Sequence, residues 1–280
     1  VLTTLERQLD RIVLRPARKC ELGACCSVGG TASGEGPIEQ VRSFWDLDAA
    51  TYDNSASHNP RTALELAAWA GELRRLLPPP PARVLDVGTG TGFLALLLAK
   101  QGYQMSALDL SPAMLARLQE KAAGAGLEVK TFQGDAAEPP LDGFDAVVER
   151  HLLWTLPDPA AALAAWDRCA PQGRLVLLES LWGGTAGPGQ RLRRHGHESL
   201  RRLRKEAPDH HGWYDESVRA QLPLSDGATP EQLVFLVEST AWGAARVVRL
   251  RDVEWAARRS MPSVLDRALG VTPRFAVAAR

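Results

Sequence analysis

Two acids and three glycines stand where their types and spacing could do chemistry. Asp86, Gly88, Gly90 and Gly92 alternate through "VLDVGTGTG", at the end of an apolar run. Asp109 closes the next apolar run, in "ALDLSPAML". Glycine at a strand-to-helix turn lets the backbone bend tightly and approach a ligand closely. An acid at the end of the neighbouring strand accepts hydrogen bonds from a ribose diol. The spacing is not the G-x-G-x-x-G of dinucleotide enzymes, which opposes a nicotinamide oxidoreductase.

Such a site needs a parallel sheet, because ligands sit outside the carboxyl ends of its strands where the strand order reverses. The chain supplies one by alternation. Strands are expected at Val84–Val87, Gln104–Leu108, Leu127–Phe132, Asp145–Val148 and Arg174–Leu178. Helices are expected between them at Phe93–Gln101, Pro112–Ala123 and Pro159–Cys169. Ser111 reads as an N-cap with Pro112 at the first helical position. Ahead of the sheet, "IEQVRSFWDLDAATYDN" reads as a short helix ending in a loop, and "PRTALELAAWAGELRRLL" as a helix stopped by Pro78–Pro81. "RLRRHGHESLRRLRKE" is a basic helix and "TPEQLVFLVESTAW" another helix. "ARVVRLRDV" and "RFAVAAR" read as two closing strands. The expected fold class is α/β: a doubly wound, mostly parallel seven-stranded sheet with an N-terminal helical lid and a helical insertion, about 183–240, before the last two strands.

The bulk numbers exclude some classes. Among 280 residues, lysine plus arginine and aspartate plus glutamate both count 33, so no net charge draws the chain to nucleic acid or an anionic membrane. No apolar run reaches the roughly 18 residues of a membrane helix. The start lacks the apolar core and cleavage site of a signal peptide, so a cytoplasmic location is expected. Cys20, Cys25 and Cys26 lack the C-x-x-C spacing of a zinc site. Their Gly- and Ser-rich surroundings make residues 1–36 read as a poorly ordered, reduced lead rather than a soft-metal tail. Cys169 reads as helix packing.

Five stretches, in order, match one family: "AATYDNS", "VLDVGTGTG", "ALDLSPAML", "FQGDAAEPPL" and "FDAVVERHLLWTLPDP". Over about residues 37–182 the chain resembles the class I S-adenosylmethionine-dependent methyltransferases, nearest to their small-molecule group of ubiquinone-type and antibiotic-biosynthesis enzymes. The resemblance implies a methyltransferase domain over 37–280 and S-adenosyl-L-methionine as cofactor. It places Gly88 and Gly90 under the methionine part and Asp86 on the loop and amino group. Asp109 then binds the ribose hydroxyls, and Leu110 and Met114 pack on the adenine. Asp135 meets the adenine amino group, with the Ala136 amide nearby. Tyr52 becomes a lid over the methionine end, and Glu149 a backbone contact to the cofactor. His58 and Arg61 approach the cofactor carboxylate.

The family builds its acceptor site after the fourth strand, which makes His151 the candidate general base. Positioning or plain packing is the other reading of that residue. His195, His197, His210 and His211 are expected to cover the acceptor pocket or face water, with no metal, and Trp154, Trp182 and Trp213 to wall that pocket. The basic helix carries no interleaved aromatic residues to stack bases, so no nucleic-acid partner is expected. The segment "ERHLLW" replaces the Asn-Pro-Pro-aromatic motif of relatives that methylate adenine or glutamine. The leading reading is a small-molecule O- or N-methyltransferase, in a metabolic or secondary-metabolite pathway. A methyltransferase acting on RNA or protein and a non-catalytic cofactor-binding partner are the alternatives. Oligomeric state stays open.

Overall fold

The computed structural model describes residues 36–55, 58–60, 62–140, 142–204 and 214–280. Seven strands form one sheet: β1 Arg83–Val87, β2 Gln104–Asp109, β3 Val129–Gln133, β4 Ala146–Arg150, β5 Arg174–Ser180, β6 Ala245–Arg249 and β7 Arg274–Ala279. Their spatial order is β3-β2-β1-β4-β5-β7-β6. β1 to β5 pair in parallel, whereas β7 runs antiparallel to both β5 and β6. Strand order reverses between β1 and β4, and that is the crevice where such sheets hold ligands.

The strands read as near-continuous apolar runs because both faces are covered. In β1, Val84 joins one core with Trp69, Leu73, Leu94 and Leu98. Leu85 and Val87 join the other, with Leu163, Trp166, Leu233 and Val237. The first core is roofed by α2 (Ala63–Leu76) and α3 (Phe93–Ala99), the second by α5 (Pro159–Cys169) and α8 (Pro230–Glu238). Burying each large apolar side chain contributes about 1.5–3 kcal/mol. Trp166 and Trp242 are fully buried, and their indole N–H groups donate to the carbonyls of Ala136 and Leu163 at 2.7 and 2.9 Å. The first of these bonds ties α5 to the turn that follows β3.

Helix starts follow local chemistry. Thr62 and Glu65 form a capping box on α2. Ser111 caps α4 (Pro112–Ala125) through the Met114 amide, with Pro112 at the first position. Asp158 caps α5 through the Ala161 amide. The N-terminal helix α1 (Pro37–Asp48) is followed by a single 3-10 turn, Tyr52–Asn54.

Several boundaries differ from the sequence expectation by one or two residues, and three differences bear on the site or the topology. β4 extends to Arg150, so Glu149 and Arg150 lie within the strand. "ARVVRLRDV" divides: β6 ends at Arg249, and α9 (Arg251–Arg259) begins after Leu250. The cause is a change of period, since Val253 and Ala256, three apart, are the buried residues of that helix. A further helix, α10 (Val264–Leu269), precedes β7, so helical excursions lie on both sides of β6. The basic helix is α6 (Pro188–Arg204), followed by the short α7 (Glu216–Arg219). No helix among the described residues is long and apolar enough to cross a membrane.

Candidate active site

The glycine turn after β1 is built from inside the sheet. Asp86, 1% exposed, accepts the Thr89 hydroxyl at 2.6 Å and the Ala95 amide at 3.1 Å, both on Oδ2. It therefore braces the turn against the start of α3. Burial nevertheless pushes its carboxyl up to about 7. The Thr89 amide donates to the Leu108 carbonyl at 3.0 Å, fixing the turn to the end of β2. All three glycines have positive φ, but a side chain would meet a different neighbour at each. A Cβ on Gly88 would lie 2.6 Å from Leu152 Cδ1, and one on Gly92 would lie 1.8 Å from Leu118 Cδ1. One on Gly90 would meet only Tyr52, at 3.8 Å. Gly92 thus serves helix packing, and Gly88 and Gly90 bring bare backbone to the cleft.

Asp109 closes the site from β2. One carboxylate oxygen accepts the Gly90 amide at 2.7 Å and the other the Ser111 amide at 2.9 Å. Burial still pushes the acid up to about 6, with Asp46 adding to the rise. A carboxylate oxygen has a second lone pair, so each oxygen can accept one more donor. Leu110 and Met114 stand beside it, and Asp135 and Ala136 stand after β3, with the Asp135 carboxylate accepting the Ala137 amide at 2.8 Å. Asp109, Leu110, Met114, Asp135 and Ala136 line one cleft of about 860 Å³ including its open mouth, together with Gly88, Gly90 and Tyr52.

The α1 segment covers the cleft and is tethered at two points. Ser111 donates its hydroxyl to Asp46 Oδ1 at 2.5 Å. Asp53 accepts the Thr91 hydroxyl at 2.6 Å and pairs with Lys121 at 2.8 Å. Between these tethers Tyr52 stacks on His58, with ring centres 4.1 Å apart, and meets Trp45 edge-on at 6.0 Å.

At the exit of β4 the expected residues separate. Glu149 is fully buried; its Oε2 accepts the Leu152 amide at 2.8 Å, and its side chain does not line the cleft. Burial and the neighbouring Glu179 hold its carboxyl well above the usual range. His151 does line the cleft, from a left-handed backbone with φ of 60°. Its Nδ1 lies 2.9 Å from Glu179 Oε2. Burial, then the charges of Arg150 and Arg274, depress the imidazolium to about 3, so the ring is neutral at pH 7. Burial pushes Glu179 up to about 8.

Trp154 and Trp182 pack on each other at 5.3 Å, and the indole on the cleft wall is instead Trp45. His195 is exposed beside Glu198, and His197 Nε2 lies 2.9 Å from the Gly270 carbonyl oxygen, bridging α6 to the end of α10. Neither histidine lines the cleft. Arg61, His210, His211, Trp213 and Cys20, Cys25 and Cys26 lie outside the described residues. Sequence reading passed over Trp45, Arg150, Leu152 and Glu179. A single charged pair inside the apolar run "AVVERH" is the one signal that marks Arg150.

Comparison with known proteins matches the part of the chain that carries this cleft. A family model described as "Methyltransferase domain" matches residues 85–177, from β1 into β5. A demethylmenaquinone methyltransferase of Thermus thermophilus is 43% identical over 104 residues, 35% of this chain and 47% of that protein. A ubiquinone biosynthesis O-methyltransferase of Xanthomonas campestris is 38% identical over 106 residues, 36% of this chain and 44% of that protein. The matched stretch thus spans just under half the length of these relatives. The structure of a magnesium protoporphyrin IX methyltransferase from Synechocystis with bound S-adenosylmethionine superposes with a TM-score of 0.55 at 13% identity. That superposition covers 89% of this chain and 100% of the other, a likeness of fold.

Proposed function

We propose, from the premise that residues 85–177 belong to a class I S-adenosylmethionine-dependent methyltransferase domain, that this chain methylates a hydroxyl or amine of a small molecule. The observation that carries the reading is Asp109, whose two carboxylate oxygens are aimed by the Gly90 and Ser111 amides on the wall of the cleft. A ribose diol supplies two donors, and Asp109 supplies two charged acceptors. Met114 and Leu110 give an apolar face beside Asp135, an arrangement suited to an adenine ring with its amino group. The bare backbone of Gly88 and Gly90 suits the chain that joins nucleoside to amino acid. The residues present therefore fit S-adenosylmethionine, which supplies a methyl group already activated by its sulfonium.

The protein's own work is then orientation and proton management. Holding two reactants in line supplies roughly 7–11 kcal/mol. Trp45, Leu222, Thr155 and Leu156 also line the cleft, giving a mixed wall for a small acceptor. His151 is neutral and stands on the same wall, and once Glu179 ionises and accepts Nδ1–H, the ring's Nε2 accepts a hydrogen bond from an acceptor O–H or N–H. A hydroxyl oxygen that has just gained a methyl group is a far stronger acid than imidazolium. Even a weakly basic histidine then takes its proton. The helices between β5 and β6 and the N-terminal α1 together form the acceptor side. The O-methyltransferase named among the relatives supports a hydroxyl as the first class to try.

The experiment is calorimetric titration of the purified chain with S-adenosylmethionine, repeated with Asp109→Ala, followed by S-adenosylhomocysteine release with a panel of phenols and amines. Binding that needs Asp109, with release on one class of acceptor, supports the proposal. Binding with no release across the panel favours a non-catalytic partner. No binding by the folded chain overturns the cofactor itself.

A further inference from the structure

Arg150 is the last residue of β4, one position beyond the Val87–Glu149 pairing with β1. Its side chain lies between the main cleft and a small adjoining recess that also borders Asp86, Gly88, Thr91 and Phe93. The guanidinium carbon sits 4.4 Å over the Phe93 ring and 5.8 Å over Trp69. One terminal nitrogen donates to the His58 carbonyl, and the Tyr52 hydroxyl stands beside the group.

What this cation lacks is a carboxylate. Among the described residues no acid lies within ion-pair distance of Arg150. The nearby acids have other partners: Asp86 holds Thr89 and Ala95, Asp53 holds Thr91 and Lys121, and Asp109 holds Gly90 and Ser111. Burial without a counter-charge lowers its pKa. A buried guanidinium stacked on aromatic faces keeps its N–H edge for a planar, bidentate acceptor, and that fork matches a carboxylate.

We propose that Arg150 anchors the amino-acid carboxylate of the cofactor, with Asp86 across the recess facing its ammonium. The inference rests on the cofactor reading above and adds the group that selects an α-amino acid at that end. It moves the carboxylate contact from His58 and Arg61, the candidates offered from the sequence, to a residue that lines both the cleft and the recess. His58 then supports Arg150 through its carbonyl and Tyr52 through its ring.

The test compares ligands that differ only at the amino-acid end. Wild type, Arg150→Met, Arg150→Lys and Arg61→Met are titrated calorimetrically with S-adenosylmethionine, decarboxylated S-adenosylmethionine and 5′-methylthioadenosine, which lacks the amino acid altogether. Hydrogen bonds to charged groups are worth about 1.5–3 kcal/mol, so wild type should prefer the carboxylated ligand by roughly ten- to a hundredfold. Arg150→Met should lose that preference while binding methylthioadenosine as wild type does, which also shows that the variant is folded. Arg150→Lys, with charge but no fork, should keep only part of the preference, and it serves if the methionine variant fails to fold. Preference that survives Arg150→Met and disappears in Arg61→Met overturns the assignment. Equal binding of both ligands by wild type overturns it too, while leaving the cofactor reading intact. Failure of all three ligands to bind wild type overturns both.

Discussion

The Asp109 carboxylate accepts the Gly90 amide at 2.7 Å, so the acid that ends β2 also closes the glycine turn that follows β1. One side chain thus holds the turn and faces the cleft. Replacing Asp109 by Ala should weaken S-adenosylmethionine binding roughly ten- to a hundredfold, the scale of hydrogen bonds to a charged group. Ribose hydroxyls donate to the ionised form, and burial has pushed this acid up to about 6. Affinity should therefore be level at pH 7–8 and fall as the pH drops below about 6, by at most tenfold per pH unit. Calorimetry across that range checks the sign.

Asp86 shows the opposite use of a buried acid. Its folded pKa of about 7 lies above the value of the unfolded chain. The stability it contributes is therefore complete below the unfolded pKa near 4 and is lost as the pH rises through about 7. Both of its hydrogen bonds fall on Oδ2, which an asparagine oxygen can replace. Asp86→Asn should raise stability at pH 8 by about 1–3 kcal/mol and leave it nearly unchanged at pH 4. Urea unfolding at the two pH values decides. Loss of stability at pH 8 would contradict the assignment.

The glycines should separate by function. Gly92→Ala places a methyl 1.8 Å from Leu118 at a φ of 88°, so it should lower stability by about 2–4 kcal/mol. Gly88→Ala meets only the flexible end of Leu152 and should cost less, about 1–2 kcal/mol. Its larger effect should be on cofactor affinity, because Leu152 lines the cleft. Denaturation and titration of both variants give the two rankings.

His151 and Glu179 share a hydrogen bond and should titrate together. Around pH 7 the ring is neutral and burial favours a protonated Glu179. Loss of that proton through about pH 8 leaves a carboxylate that accepts Nδ1–H, and Nε2 gains its lone pair. Methyl transfer should rise through about pH 8, and no limb near 6.5 should come from the histidine. Glu179→Gln should flatten the rise. His151→Ala should keep cofactor binding and lose roughly 10²- to 10⁴-fold in turnover. Nitrogen chemical shifts of the imidazole report the tautomer directly.

Much of this architecture was legible because period and punctuation agree. Val84–Val87 and Ala146–Val148 are buried on both faces and read as unbroken apolar runs. Ser111–Pro112 and Asp158–Pro159 mark helix starts in the sequence itself. The carboxyl-terminal third was harder, because Leu250 alone separates a strand from a helix and no proline or glycine marks the change. The acids of the cleft were visible from their places at strand ends. The partnership of His151 with Glu179 was not. It depends on β4 and β5 aligning Arg150 with Leu178, a register that no local pattern encodes. Arg150 stayed hidden for a similar reason: its meaning lies in which acids are already engaged elsewhere, and those bonds cross from one element to another.

The place of β7 has a consequence for how the sheet is completed during synthesis. β1 to β5 find their neighbours among strands made before or soon after them. β6 leaves the ribosome with no strand to join, because among the described residues its sole neighbour in the sheet is β7. It must wait through α9 and α10. Until β7 slots in, β5 and β6 each present an open edge, and such edges recruit other chains. A nascent chain halted before Arg274 would be a sticky one, and chaperone dependence should concentrate in that interval.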